Sequence, residues 1–239
     1  APLFPPLLQG LASGPADPFP IACTEAAKGT DSGLIVWSLD EERLRAAIVL
    51  APETPLSGAI AAFRACAMAL RDAFGNLAPP ETSMQFDWAG GVRVNAGHCG
   101  GLKIAASTRD PEVVPDWIVV GFELTVTLPP EWEPGETPDW TALVEEGCGE
   151  IDPIELLEYW SRHVLRWLNA LDEPGGRRTL HREWQAYAWK HGEALTLPLD
   201  GQRIEATYLG DDDHFGMLLK LPNGTTRLIP LISLVEADQ

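Results

Sequence analysis

The stretch FDWAGGVRVNAGHCGGLKIAAS, Phe86 to Ser107, and the run WIVVGFELTV, Trp117 to Val126, decide how this chain is read. The pattern predicts a strand ending in Trp88, a Gly-Gly turn, a short strand, a second tight turn at Ala96 and Gly97, and a strand through Gly100 and Gly101. One more long apolar strand follows the spacer. Adjacent glycines weaken a strand, because they add backbone entropy and bring no side chain to pack. Two readings account for them here: close approach of a ligand to the backbone, or a tight hairpin carrying a bulge.

On the N-terminal side, Leu34 to Ser38 and Ala46 to Leu50 read as strands joined by the acidic, arginine-bearing connection LDEERLR. Leu56 to Phe74 then repeats apolar residues at helical spacing, through Leu56, Ile60, Phe63, Ala67, Leu70 and Phe74. Pro52 and Pro55 punctuate its start, and Gly75 is the expected cap. On the C-terminal side, PPEWEPGETP, Pro129 to Pro138, reads as a loop. A helix from Pro153 to Asn169 follows, with Asp152 as N-cap and Leu157, Trp160, Val164 and Trp167 as its buried stripe. After DEPGG, a further helix spans about Thr179 to His191. Beyond Gly192 come five short strands, ALTLP, QRIEATYLG, FGMLLKLP, TTRLIP and ISLVE, with turns at Asp200-Gly201, Asp211 to Asp213 and Asn223-Gly224. These divide the chain into residues 1–192 and a small barrel of residues 193–239.

Composition narrows the function. A formal net charge of -18 leaves no basic surplus to displace counterions from phosphates, so a nucleic-acid partner is excluded. No run approaches the roughly 18 consecutive apolar residues of a membrane span. The start, APLFPPLLQGLASG, has no basic leader and is broken by prolines, which predicts an extended surface arm and argues against a secretory signal. Cys23, Cys66, Cys99 and Cys148 form no C-x-x-C pair, which points to a reduced, cytoplasmic location. The five histidines lack metal-ligand spacing, so no metal site is expected.

The order tryptophan, turn, hairpin, turn, glycine-rich strand, then IVVGFELTV resembles the core of the biotin and lipoate A/B protein ligase family, and IPLISLVE resembles the last strand of the small C-terminal barrel of biotin ligases. The resemblance implies an α+β fold: a class II synthetase-like mixed sheet packed by helices, plus a small SH3-like β-barrel. It also implies an activity, in which ATP and magnesium activate biotin, lipoate or octanoate to an acyl-adenylate that is passed to a lysine of a carrier domain. Homodimers are plausible by the same resemblance.

Carried onto this sequence, the family's hairpin lysine falls at His98, a site at which the bland reading is a turn or core histidine. Trp88 takes the tryptophan position, and Gly100 and Gly101 take those of the small residue and glycine. Strand alternation places Lys103 on the face opposite His98. Thr24, in IACTEAA, is either a hydrogen-bond donor to a ligand or an N-cap. The family's Gly-Arg-Gly phosphate loop should fall between Ser38 and Ala46, where the chain offers three acids with Arg43 and Arg45. Cys99 beside His98 points to the opposite face, and Cys148 lies in a Gly-flanked acidic segment that blunts its reactivity. The sequence therefore supports two functions: a ligase or acyltransferase acting on a carrier lysine, or a non-catalytic small-acid-binding or interaction protein on the same fold.

Overall fold

The computed structural model describes residues 1–129, 132, 139–199 and 201–236. Most of the Pro129 to Pro138 loop, and Asp200 of the expected turn at 200–201, lie outside the described residues. The strands are β1 Gln9–Ala12, β2 Leu34–Leu39, β3 Arg43–Leu50, β4 Met84–Phe86, β5 Gly91–Val94, β6 Gly97–Ala106 and β7 Ile118–Thr125. They form one mixed sheet in the order β1-β2-β3-β7-β6-β5-β4, in which β1 runs parallel to β2 and the rest pair antiparallel. The N-terminal arm thus enters the sheet as an edge strand.

Alternation along these strands separates two cores. Ile35, Ile48, Ile104, Val120 and Phe122 face the helices α3 Ala61–Leu77 and α4 Pro153–Asp172. Val36, Ala47, Val49, Ala105 and Val119 face α1 Pro18–Ala27, which packs through Phe19, Ala22 and Ala26. Helix α1 starts at an Asp-Pro pair, Asp17-Pro18, with the Asp17 carboxylate accepting the Phe19 N–H at 3.0 Å. Asp152-Pro153 begins α4 in the same way.

Several boundaries differ from the sequence reading. The helix expected over Leu56 to Phe74 is two, α2 Leu56–Ala59 and α3, and α3 runs through Gly75 to stop at Leu77. Pro79 ends it, since the residue before a proline is driven out of helical geometry. Helix α5 spans Gly176–Tyr187. The second hairpin turn sits one residue earlier than expected: Val94 pairs with Gly97, and Asn95 and Ala96 take φ of 46° and 74°.

The C-terminal segment forms a four-stranded antiparallel sheet, β11-β10-β9-β8, from β8 Ala194–Leu199, β9 Gln202–Asp211, β10 Met217–Lys220 and β11 Thr226–Ile229. ISLVE, expected as its fifth strand, instead turns through a 3-10 segment, Leu231–Leu234, and its end, β12 Val235–Glu236, pairs parallel with β6 at Ile104 and Ala105. Strand β5 covers β6 only as far as Gly101, so the backbone beyond is an open edge that β12 closes. No described helix is long and apolar enough to cross a membrane.

Candidate functional site

Strand β6 is not regular. Gly100 lies opposite Val92 while His98 lies opposite Arg93, so two steps along β6 meet one step along β5 and Cys99 is the extra residue. Gly100 takes φ of +152°. Alternation therefore reverses across the bulge. Cys99, Leu102 and Ile104 all face the α3–α4 core, and His98 and Lys103 both face α1. The expectation that Lys103 opposes His98 is overturned, because it counted the strand as unbroken.

On that face lies a cleft of about 250 Å³. Its floor is β6 and β7 backbone at Gly100, Gly101 and Gly121, and one wall is the first turn of α1, Asp17 to Phe19. Arg45, Lys103 and Glu123 reach it from neighbouring strands, and His98 and Trp140 close one end. Trp140 is held there by backbone pairing: the His98 N–H donates to the Asp139 carbonyl at 2.6 Å and the Thr141 N–H to the His98 carbonyl at 2.9 Å. The indole meets the imidazole edge to face, with centroids 4.3 Å apart.

The two glycines serve different ends. A Cβ on Gly100 would stand 2.0 Å from the Glu123 carbonyl oxygen, so the bulge demands glycine there. A Cβ on Gly101 would meet nothing closer than 3.7 Å and would point into the cleft. Gly121 lets α1 approach, since its Cβ would meet Phe19 at 2.7 Å. Both readings of the glycine pair are thus visible: a bulge, and backbone laid open.

The cations differ in their pairing. Arg45 bonds Asp40 at 3.1 Å, and Arg43 lies 3.6 Å from Glu123. Lys103 has no carboxylate within 4.0 Å among the described residues; its ammonium sits 5.9 Å from the centre of the Phe19 ring. Burial holds the His98 imidazole below the ordinary histidine value, with Asp87 opposing and Arg93 assisting, so the ring is predominantly neutral at pH 7. Its Nδ1 is buried without a hydrogen-bond partner among the described residues.

Of the residues singled out from sequence, His98, Gly100 and Gly101 line the cleft and Thr24, Trp88 and Arg43 do not. Thr24 is within α1, exposed, with its hydroxyl donating to the Pro20 carbonyl at 2.9 Å, so it is neither the N-cap nor turned to the cleft. Trp88 is buried in the α3–α4 core, its indole N–H donating to the Phe215 carbonyl at 2.9 Å. Cys99 is buried away from His98, and burial pushes its thiol up to about 12. Cys148, in its Gly-flanked acidic segment, is also buried, and burial rather than its acidic neighbours is the main cause of its raised value. Sequence reasoning missed Phe19 and Trp140, and it dismissed Lys103. The Asp17-Pro18 pair was a legible signal for α1; the bulge at the glycine pair was the signal for Lys103.

Comparison with known proteins bears on this architecture. The biotin/lipoate A/B protein ligase family matches residues 4–186. No curated protein matches the chain. Among solved structures, a biotin protein ligase-like protein of unknown function from Silicibacter sp. TM1040 is 47% identical, with a TM-score of 0.90 over 99% of this chain and 100% of that one. The biotin protein ligase of Aquifex aeolicus is 17% identical, with a TM-score of 0.69 over 95% and 96% of the two chains. Its complex with biotin and ATP aligns with a TM-score of 0.67 at 17% identity, over 94% and 96%. At that identity the likeness to the Aquifex enzyme is one of fold.

Proposed function

The chain belongs to the biotin/lipoate A/B protein ligase family, and from that premise we propose that its cleft binds a small carboxylic acid of the biotin, lipoate or octanoate class without adenylating it. The observation that carries this reading is the side-chain-free backbone at Gly101, flanked by Phe19, which packs over Gly121, and by Trp140. It offers an apolar tail a flat surface with aromatic walls, as small-ligand sites commonly do.

The residues present do not fit a nucleoside triphosphate with its magnesium. Where the resemblance puts the phosphate loop, β2 and β3 are joined by a turn of only Asp40, Glu41 and Glu42. Asp40 Oδ1 accepts the backbone N–H groups of Glu42 and Arg43 at 3.0 and 2.8 Å, so amides that could cradle a phosphate are already bonded to a carboxylate. The turn is pinned from the other side, with the Val126 N–H donating to the Glu42 carbonyl at 2.6 Å. Its arginines are neutralised by Asp40 and Glu123. Passing an acyl group to a carrier lysine would therefore require an acyl donor activated elsewhere.

Calorimetric titration with biotin, lipoate and octanoate, then the same acids with ATP and magnesium while assaying pyrophosphate, tests both halves. Binding of at least one acid without pyrophosphate release is expected. No heat with any of the three would remove the binding claim, and pyrophosphate release would restore the ligase reading.

A further inference from the structure

We propose that Lys103 is the carboxylate anchor of this cleft, supplying from beyond the β6 bulge the cation that position 98 lacks, and that it fits the site to free monocarboxylic acids rather than to polyanions. This rests on reading the cleft as an acid site. Three observations converge on the lysine. The bulge at Cys99 and Gly100 turns Lys103 onto the face that His98 occupies, so both border one cleft. Arg43 and Arg45 are each matched by a carboxylate, whereas Lys103 has none within 4.0 Å among the described residues. Finally, the neighbouring position on its own strand is bare: Gly101 is the next residue of β6 on the same face, while Gly121, directly opposite Lys103 in the β6–β7 register, brings the Phe19 ring in as an apolar wall beside the ammonium.

The charge balance of the cleft then sets the ligand. Asp17 and Glu123 also line it, so an ammonium with no carboxylate within 4.0 Å among the described residues faces a wall that itself carries carboxylates. A single negative charge is matched there; the several charges of a di- or triphosphate are repelled. His98 contributes a neutral ring, which can donate or accept a hydrogen bond but adds no charge to the pair.

Titrate octanoate into the full chain and into its K103M, K103R and H98A variants, at low and at high salt, with thermal melting as the check on folding. Lys103 is exposed and outside both cores, so K103M is expected to melt as the parent does. Its octanoate affinity should fall about tenfold or more, the usual worth of a charge-assisted hydrogen bond. K103R should retain most of the affinity, H98A should lose less than K103M, and octanoate binding to the parent should weaken as salt rises. Inorganic pyrophosphate should not displace the acid. Binding to K103M within about twofold of the parent, or displacement by pyrophosphate, overturns the proposal while leaving the acid site intact. Absence of acid binding to the parent removes the functional reading itself, and this inference with it. Should K103M melt early, K103Q and the salt dependence of the parent decide the matter.

Discussion

At Gly100 an added methyl would press on the Glu123 carbonyl oxygen at 2.0 Å, and φ is +152°, where an L side chain is strained. Gly100→Ala should therefore cost about 2–4 kcal/mol in urea unfolding. At Gly101 the same methyl meets only ordinary contacts, so Gly101→Ala should keep stability within about 1 kcal/mol of the parent. It should still weaken acid binding, because the methyl enters the cleft, and Gly101→Leu should abolish it. Equal effects on stability at the two positions would contradict the bulge geometry. Histidine chemistry adds a pH test. Burial lowers His98, and His163 beside Asp72 is lowered for the same main reason. Between the ordinary histidine value of 6.5 and these lower native values the unfolded chain binds more protons, so their stabilising contribution is whole above that window and is lost as pH falls through it. Replacing both histidines with asparagine should flatten the fall in melting temperature between pH 7.5 and 5.5. An unchanged slope would show that neither matters. Asp211, raised by burial, acts with the opposite sign and is common to both proteins.

Among the elements, α1 and α4 start alike. In each an aspartate precedes a proline and caps the helix, Asp17 through the Phe19 N–H at 3.0 Å and Asp152 through the Ile154 N–H at 2.8 Å. Asp152→Ala should cost about 1 kcal/mol, measured by denaturant titration, with Asp152→Ser recovering most of it. A loss under a few tenths of a kcal/mol would mean that water replaces the cap. The α4 start was legible from this local code because a run of apolar residues at helical spacing follows it. In α1 the code stands over a short, alanine-rich helix whose buried face is only Phe19, Ala22 and Ala26, too faint a stripe to announce itself. Periodicity failed differently over Leu56 to Phe74. It reports which residues are buried but not that the regular helix is interrupted at Ile60, so α2 and α3 read as one helix.

For the molecule as a whole, the C-terminal sheet is fastened to the larger unit by a buried polar knot. The Arg64 guanidinium of α3, with its nitrogens unbonded among the described residues, lies 3.7 Å from the ring centre of Trp184 in α5. Asp211, at the end of β9, accepts from the Tyr208 hydroxyl at 2.8 Å and from the Trp184 indole. Burial lowers Arg64 to about 10 and raises Asp211, and each charge opposes the other's shift. Asp211→Ala would strip the arginine of its counter-charge and leave two donors unsatisfied, at a cost of about 3–5 kcal/mol. Tryptophan fluorescence and far-UV circular dichroism should still report one coincident transition, because β12 also ties the last strand to β6. A separate early melting of the C-terminal sheet would show that the knot does not couple the two sheets.

The sequence by itself determined the α+β frame, the main strands of the large sheet with the helical stretches of α3, α4 and α5, and the family, because strand alternation, helical spacing and the Asp152-Pro153 start are written in neighbouring residues. Only the tertiary structure decided which side chains share the cleft. One extra residue in β6, Cys99, reverses every side chain after it, and the two residues that follow it are glycines, which carry no side chain to declare a face. The same holds for β12 and for Arg64 with Asp211: their partners lie far along the chain, and contact at that separation is set by how the sheets pack, not by any local pattern.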